Sequence, residues 1–338
     1  MIEQALVTFR GGNTIVILEI DDIQARTVLG AMKCIATGGS GGLSEMDSRT
    51  IESAGPILMG TDKVDVASLS ETSPEQLAAT LRTSGDASIV AQILTIMSLV
   101  GGVLEPQKTN LLLEFAAALS VDEEYLEILN DATSGRIGRA TDRLSQRGAE
   151  YFLPAQSGHA DSDDPVAPLM PYGDGETEPA LEERYVKLGE LPEGTFGKAF
   201  FDHFSDNDLD LPATDRGQVE AFVIPHDSTH VLSGYSTDES GEILVAAFTA
   251  AMHPRKPMEA QILPAMFCWH LGIKLNWLGG SFRGAFEPRT FWDAWDRGNA
   301  TRFDLFDPEW DFWAAAEQPL VQVRQSLGVA DSGAMLHA

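Results

Sequence analysis

Strong helix formers crowd the run Leu111-Leu112-Leu113-Glu114-Phe115-Ala116-Ala117-Ala118-Leu119, and a chain built from such runs is constrained to pack helix on helix. The punctuation agrees. Val121-Asp122-Glu123-Glu124 has the acidic first turn expected of the next helix. Ser73-Pro74-Glu75-Gln76 predicts another start, with Ser73 as N-cap, proline at the first helical position and Gln76 where a capping box needs it. With 338 residues, 43% of them apolar, the chain can bury the cores of about two ordinary domains. An all-α fold is expected.

Charge narrows the function. Lys and Arg total 23 against 51 Asp and Glu, a formal net charge of -28. Such a balance excludes a nucleic-acid binder, which neutralises phosphates with clustered Lys and Arg, and equally a polybasic membrane anchor. The richest apolar segment, Ile93 to Leu104, is interrupted by Gly101-Gly102 and is too short to span a bilayer. Met1-Ile2-Glu3-Gln4 lacks the basic start of a signal peptide. The expectation is a soluble cytoplasmic protein whose membrane contact, if any, is peripheral at the inner membrane face. Cys34 and Cys268 form no CxxC and are expected to be reduced core thiols.

Gly41-Gly42-Leu43-Ser44-Glu45 and Gly101-Gly102-Val103-Leu104-Glu105 recur 60 residues apart, either as a faint internal repeat or as two unrelated helix-to-helix turns. Met97 to Leu129, and more weakly Cys34 to Leu58, resemble the tellurite-resistance B-like helical domain. That resemblance implies a helical accessory domain over 1–150. The family's Asp before the turn glycine is replaced here by Gly41 or Gly101, so no metal role is expected of this half. From 151 to 182, Pro154, Pro165, Pro168, Pro171 and Pro179 interleave with Asp161, Asp163, Asp164, Asp174 and Glu176, which predicts a linker. A second helical domain is then expected over 183–338.

One cluster carries chemistry. In Pro225-His226-Asp227-Ser228-Thr229-His230, a helix steps about 100° per residue, placing His226 and His230 about 40° apart with Asp227 in the same arc. Gly234 is placed to end that helix, and Ser236 to Ser240 forms a turn. Glu242 then opens the apolar run Ile243-Leu244-Val245-Ala246-Ala247-Phe248. An antiparallel helix pair returns Glu242 toward His230. Two imidazoles with one or two carboxylates suit zinc, iron or manganese; two histidines four apart also occur on ordinary core faces. A zinc-peptidase HExxH needs Glu where this chain has Asp227.

His226-Asp227-x-x-His230, followed after eleven intervening residues by Glu242, resembles the signature of the family named for the fourth protein of coenzyme Q (ubiquinone) biosynthesis. Its flanks are similar too. Leu191 to Phe200 resembles the family's Gly-Thr-Leu-Gly segment, Trp295-Asp296-Arg297-Gly298 its Arg-Gly, and Pro319-Leu320-Val321-Gln322-Val323-Arg324-Gln325-Ser326-Leu327-Gly328-Val329 its C-terminal motif. The resemblance implies one divalent metal, zinc first and iron or manganese as alternatives, held by His226, Asp227, His230 and Glu242 beside a groove for a prenyl chain. It further implies oxidative decarboxylation of a prenylated aromatic acid, or a lipid-binding scaffold that organises other quinone-biosynthesis enzymes around a structural metal. The implied partners are a prenylated aromatic or quinone lipid and those enzymes, with homo-oligomerisation left open. The stretch between Phe201 and His226 is shorter than in the family.

His270, in Phe267-Cys268-Trp269-His270-Leu271, is either a residue orienting a metal ligand or a satisfied core histidine; His203 and His253 fall under the same alternatives. Phe291, Trp292, Trp295, Phe303, Phe306, Trp310, Phe312 and Trp313 line either an isoprenoid surface or the core. Ile262-Leu263-Pro264-Ala265-Met266-Phe267 is a kinked core helix or a lipid groove. Asp307-Pro308-Glu309 belongs to a solvated face, and Gly279-Gly280 precedes no strand-to-helix unit that would bind a nucleotide.

Overall fold

A computed structural model describes residues 18–330 apart from 39–41, 83–84, 153–176, 254, 276–277, 279 and 308. Met1 to Gln4, Gly41, most of the expected linker, Gly279 and Pro308 lie outside the described residues. All regular structure among the described residues is helical, as expected; extended pairing amounts to two isolated bridges, Thr195 with Pro319 and Leu271 with Arg283.

Helix starts follow local chemistry. At α1 (Asp22–Gly38), Asp21 Oδ1 accepts from the Ile23 and Gln24 amides, both at 2.9 Å. At α2 (Glu45–Met59), Ser44 and Asp47 close a reciprocal capping box. The start of α3 (Pro74–Thr80) is the predicted one: Ser73 Oγ accepts from the Gln76 amide at 3.3 Å and Gln76 Oε1 from the Ser73 amide at 2.9 Å. The apolar run after Ala87 forms α4 (Ala87–Leu99), buried at Val90, Ile93, Leu94, Ile96 and Met97. Among the described residues no helix is long and apolar enough to cross a membrane. A turn with Gly102 at φ 71° leads into α5 (Pro106–Ala118), the Leu/Ala run, followed by α6 (Glu124–Thr133) and α7 (Ile137–Phe152).

Helices reach into both ends of the expected 151–182 linker. Tyr151 and Phe152 end α7 as buried aromatics, and Pro179 occupies the first turn of α8 (Pro179–Leu188), where its missing amide costs nothing. Beyond it come α9 (Phe196–Asp206), α10 (Glu220–Ser233) and α11 (Glu239–Met252). Met258–Ile262 and Met266–His270 are π-helical turns flanking the short α12 (Leu263–Ala265), so the run around Pro264 is a buried, irregular helix. The order ends with α13 (Pro288–Asn299), α14 (Phe312–Ala316) and α15 (Leu320–Leu327).

Buried apolar residues from both sides of the linker form one continuous cluster. The N-terminal α2 packs on α13, where the Trp292 indole donates to the Thr50 carbonyl at 3.2 Å and Arg49 pairs with Glu287. Phe291, Trp292, Trp295 and Phe312 are buried in this core, each such side chain contributing about 2 kcal/mol or more. On the C-terminal side of this core, the Phe286 amide donates to His270 Nδ1 at 3.3 Å. That leaves Nε2 with the proton, which it donates to the Val100 carbonyl at 3.1 Å. His270 is therefore a satisfied core histidine. Burial pushes its pKa below the usual histidine value, despite the opposing pull of the Val100 carbonyl.

Helices α11 and α13 approach so closely that a Cβ on Gly298 would lie 2.1 Å from the Phe248 carbonyl oxygen. Backbone cannot yield there, so Gly298→Ala should lower unfolding free energy by about 2–3 kcal/mol in urea titrations; an unchanged midpoint would contradict the packing. His270 adds a pH signature. Its folded pKa is depressed, so the unfolded chain binds the proton first and stability is lost as pH falls below the unfolded value of about 6.5. His270→Phe, which cannot titrate, should lose less stability than the wild type between pH 7 and 5; parallel profiles would contradict this assignment.

Candidate metal centre

Helix α10 delivers both histidines to one face, as the spacing predicts, and the loop after it returns Glu242 to them. Gly234 ends α10 in the left-handed conformation, φ 80°, with its amide donating to the His230 carbonyl at 2.8 Å. Asp238 then caps α11 by accepting from the Gly241 amide at 2.7 Å. Gly241 is required by space: a Cβ would sit 1.9 Å from the Ser236 carbonyl oxygen, so only glycine lets the loop close against the first turn of α11. The next residue is Glu242.

His226 Nε2 and His230 Nε2 stand 3.3 Å apart. Glu242 bridges the pair, with Oε2 3.5 Å from His226 Nε2 and Oε1 3.3 Å from His230 Nε2. These three side chains each offer one ligand atom to a common point. Ligand atoms bound at about 2.05 Å to a tetrahedral zinc are about 3.3 Å from one another, so the observed spacing fits a small divalent ion. The His230 tautomer fits as well: Nδ1 lies 3.2 Å from the Tyr235 carbonyl and donates to it, leaving the Nε2 lone pair free to ligate. His226 is held by ring contacts, stacked on Phe222 with centroids 4.8 Å apart, and Phe222 in turn meets Phe152 of α7 edge-on at 4.9 Å.

Asp227 stands outside this convergence. One helical step from His226 turns its carboxylate toward α9, where Oδ1 lies 2.8 Å from His203 Nε2. The His203 ring stacks on that of His230 at 5.3 Å, so the pair forms a layer directly behind the cluster. Burial works to raise the Asp227 carboxyl, but the His203 hydrogen bond and the neighbouring imidazoles outweigh it and hold the group below the usual carboxylate range. His203 therefore donates. Burial also opposes charge on both histidines of the cluster. It prevails at His226, whose pKa is lowered, whereas at His230 the Glu242 carboxylate overcomes it and the pKa is raised.

Sequence spacing alone did not single out His203, because its partner is 24 residues away on another helix. Its position beside the aromatic face of α9, with Phe196, Phe200 and Phe204 buried, looks like that of any core histidine. His253 is tied instead to Asp304, away from the cluster. Cys268 is buried and Cys34 partly so; both are free thiols, and burial pushes the Cys268 thiol up to about 11.

The C-terminal end of α10 is secured from two directions. Arg324 donates from Nε to the Leu232 carbonyl at 2.9 Å and from Nη2 to that of Val231 at 2.8 Å, and the buried Arg297 donates to the Ser233 carbonyl at 2.9 Å. Cations there also complement the negative end of the helix dipole. The entry to α9 pairs with the entry to α15, through Phe196 N to Gln318 O at 2.9 Å and Leu320 N to Gly194 O at 2.8 Å. The flanking segments singled out in the sequence thus gather around α10 and α9. Beside His226 and Glu242 runs a narrow cleft of about 30 Å³, walled by Phe152, Phe222, Pro264 and Trp269.

The chain matches no protein-family model and no curated protein.

Removing the Arg324 guanidinium leaves the Val231 and Leu232 carbonyls unpaired, so Arg324→Ala should cost about 1–3 kcal/mol in chemical denaturation. Arg324→Lys, a point donor that cannot fork to both carbonyls, should recover only part of that loss. Full recovery by lysine would refute the bidentate role.

Proposed function

We propose that the chain is a metal-dependent protein of ubiquinone or related prenylated quinone biosynthesis, acting in the oxidative decarboxylation of a prenylated aromatic acid. The observation that carries this reading is the convergence of His226, His230 and Glu242 at the edge of an aromatic-walled cleft, within a motif order that resembles the coenzyme Q family. A divalent ion held by these three side chains supplies Lewis acidity, and iron or manganese would add redox capacity that zinc lacks. The residues around it orient the ligands: the Tyr235 carbonyl fixes the His230 tautomer, Phe222 fixes the plane of His226, and the Asp227–His203 pair backs His230. In the reaction, the carboxyl would leave as carbon dioxide and the ring carbon would take a hydroxyl oxygen from water, with dioxygen accepting the two electrons and leaving as hydrogen peroxide. Other enzymes of the same biosynthesis are the partners this reading implies.

The narrowness of the cleft favours a second reading, a scaffold for other quinone-biosynthesis enzymes with a structural metal, because about 30 Å³ holds little more than a water molecule and leaves no room for a reacting ring.

Elemental analysis of the purified protein should find about one equivalent of divalent metal, lost in His230→Ala and in Glu242→Ala. Incubation with a carboxyl-labelled geranylated hydroxybenzoate should release labelled carbon dioxide. A metal-free wild type that is fully active would end the metal-dependent reading. Under the enzymatic reading His226→Ala loses turnover with its melting temperature preserved, whereas loss of the fold instead favours the scaffold.

A further inference from the structure

Asp227 is the residue that the helical arc offers as a fourth ligand, and the fold turns it elsewhere. Among the described residues, His226, His230 and Glu242 each bring an atom to the common point and Asp227 does not. Its buried carboxylate accepts from His203 Nε2 at 2.8 Å instead. His203 is held in turn. Its ring stacks on that of His230 at 5.3 Å and meets Phe204 edge-on at 5.6 Å, on a helix whose Phe196, Phe200 and Phe204 are buried. Neither partner of this hydrogen bond can turn away without disturbing packed rings.

Three protein ligands leave a tetrahedral ion with one position unfilled, as in catalytic zinc sites, whereas structural sites are closed by four. Exposure indicates the side on which that position lies. The His230 side chain is 1% exposed, while those of His226 and Glu242 are each 19% exposed and form part of the cleft wall. The cleft has room for a water molecule, and its remaining walls are mostly apolar, so an oxygen there finds its partner at the cluster. We propose that His203 keeps the Asp227 carboxylate out of the ligand set, so that a divalent ion held by His226, His230 and Glu242 retains one exchangeable position on the cleft side, taken by a water molecule. This rests on the metal-dependent reading, and it makes His203 a positioning residue that keeps the site open.

The test uses the full-length protein, stripped of metal, reloaded with one equivalent of cobalt(II) and titrated with azide, a slim anion that displaces metal-bound water. The visible cobalt bands of the wild type should shift saturably. Asp227→Asn, which can still accept from His203, should bind cobalt about tenfold more weakly for loss of the charge behind the site, yet show the same bands and the same azide shift at saturating cobalt. His203→Phe keeps a ring against His230 but cannot donate, so Asp227 is released to the ion: the bands should change and the azide shift should be lost. Combining His203→Phe with Asp227→Asn should restore both. Bands altered by Asp227→Asn alone, a wild type silent to azide, or an azide shift retained in His203→Phe would each overturn the proposal. A wild type that binds no cobalt ends the metal-dependent reading and this inference with it, whereas a cobalt-loaded protein silent to azide ends this inference alone.

Discussion

The C-terminal carbonyls of α10 are the point through which the rest of the site is tied. Helix ends leave carbonyls without intrahelical partners, and here Gly234, Arg324 and Arg297 satisfy them. Each partner comes from a different stretch of chain. Gly234 starts the loop that returns Glu242, Arg297 belongs to the helix packed on α11, and Arg324 belongs to the last helix, whose entry is paired with the start of α9. The position of the two imidazoles relative to the carboxylate is therefore set by the same hydrogen bonds that close the fold.

The N-terminal half participates in this arrangement. Phe152, from the end of α7, abuts Phe222, which stacks on His226 of the cluster. His270 and Trp292 each donate to carbonyls of N-terminal helices across a continuous core. A residue of the first half thus forms part of the cleft wall beside the cluster.

What was legible in the sequence is what is local. The α3 capping box, the α10 histidine pair, its Gly234 stop and the return of Glu242 all depend on spacings of one helical turn or one short loop, and the structure has them where they were expected. Asp227 shows the limit of such reasoning. An arc of about 100° can hold a third ligand, but which way the carboxylate turns depends on His203, 24 residues upstream. Arg324 reaches carbonyls 92 and 93 residues away, a relation that no periodicity encodes. The aromatic-rich C-terminal run illustrates a different gap. Pattern marks Phe291 and Trp292 as apolar, but only packing against α2 shows that they are buried and do not face a lipid.

The Asp227–His203 layer also has an electrical consequence. A divalent ion held by two neutral imidazoles and the Glu242 carboxylate would keep a residual charge of one, which the Asp227 carboxylate directly behind would cancel. The buried assembly would then be neutral as a whole with a doubly charged cation, whereas a monovalent or trivalent ion would leave an uncompensated charge in a medium that solvates it poorly. A carboxylate that touches no ligand atom can in this way select the valence of the ion.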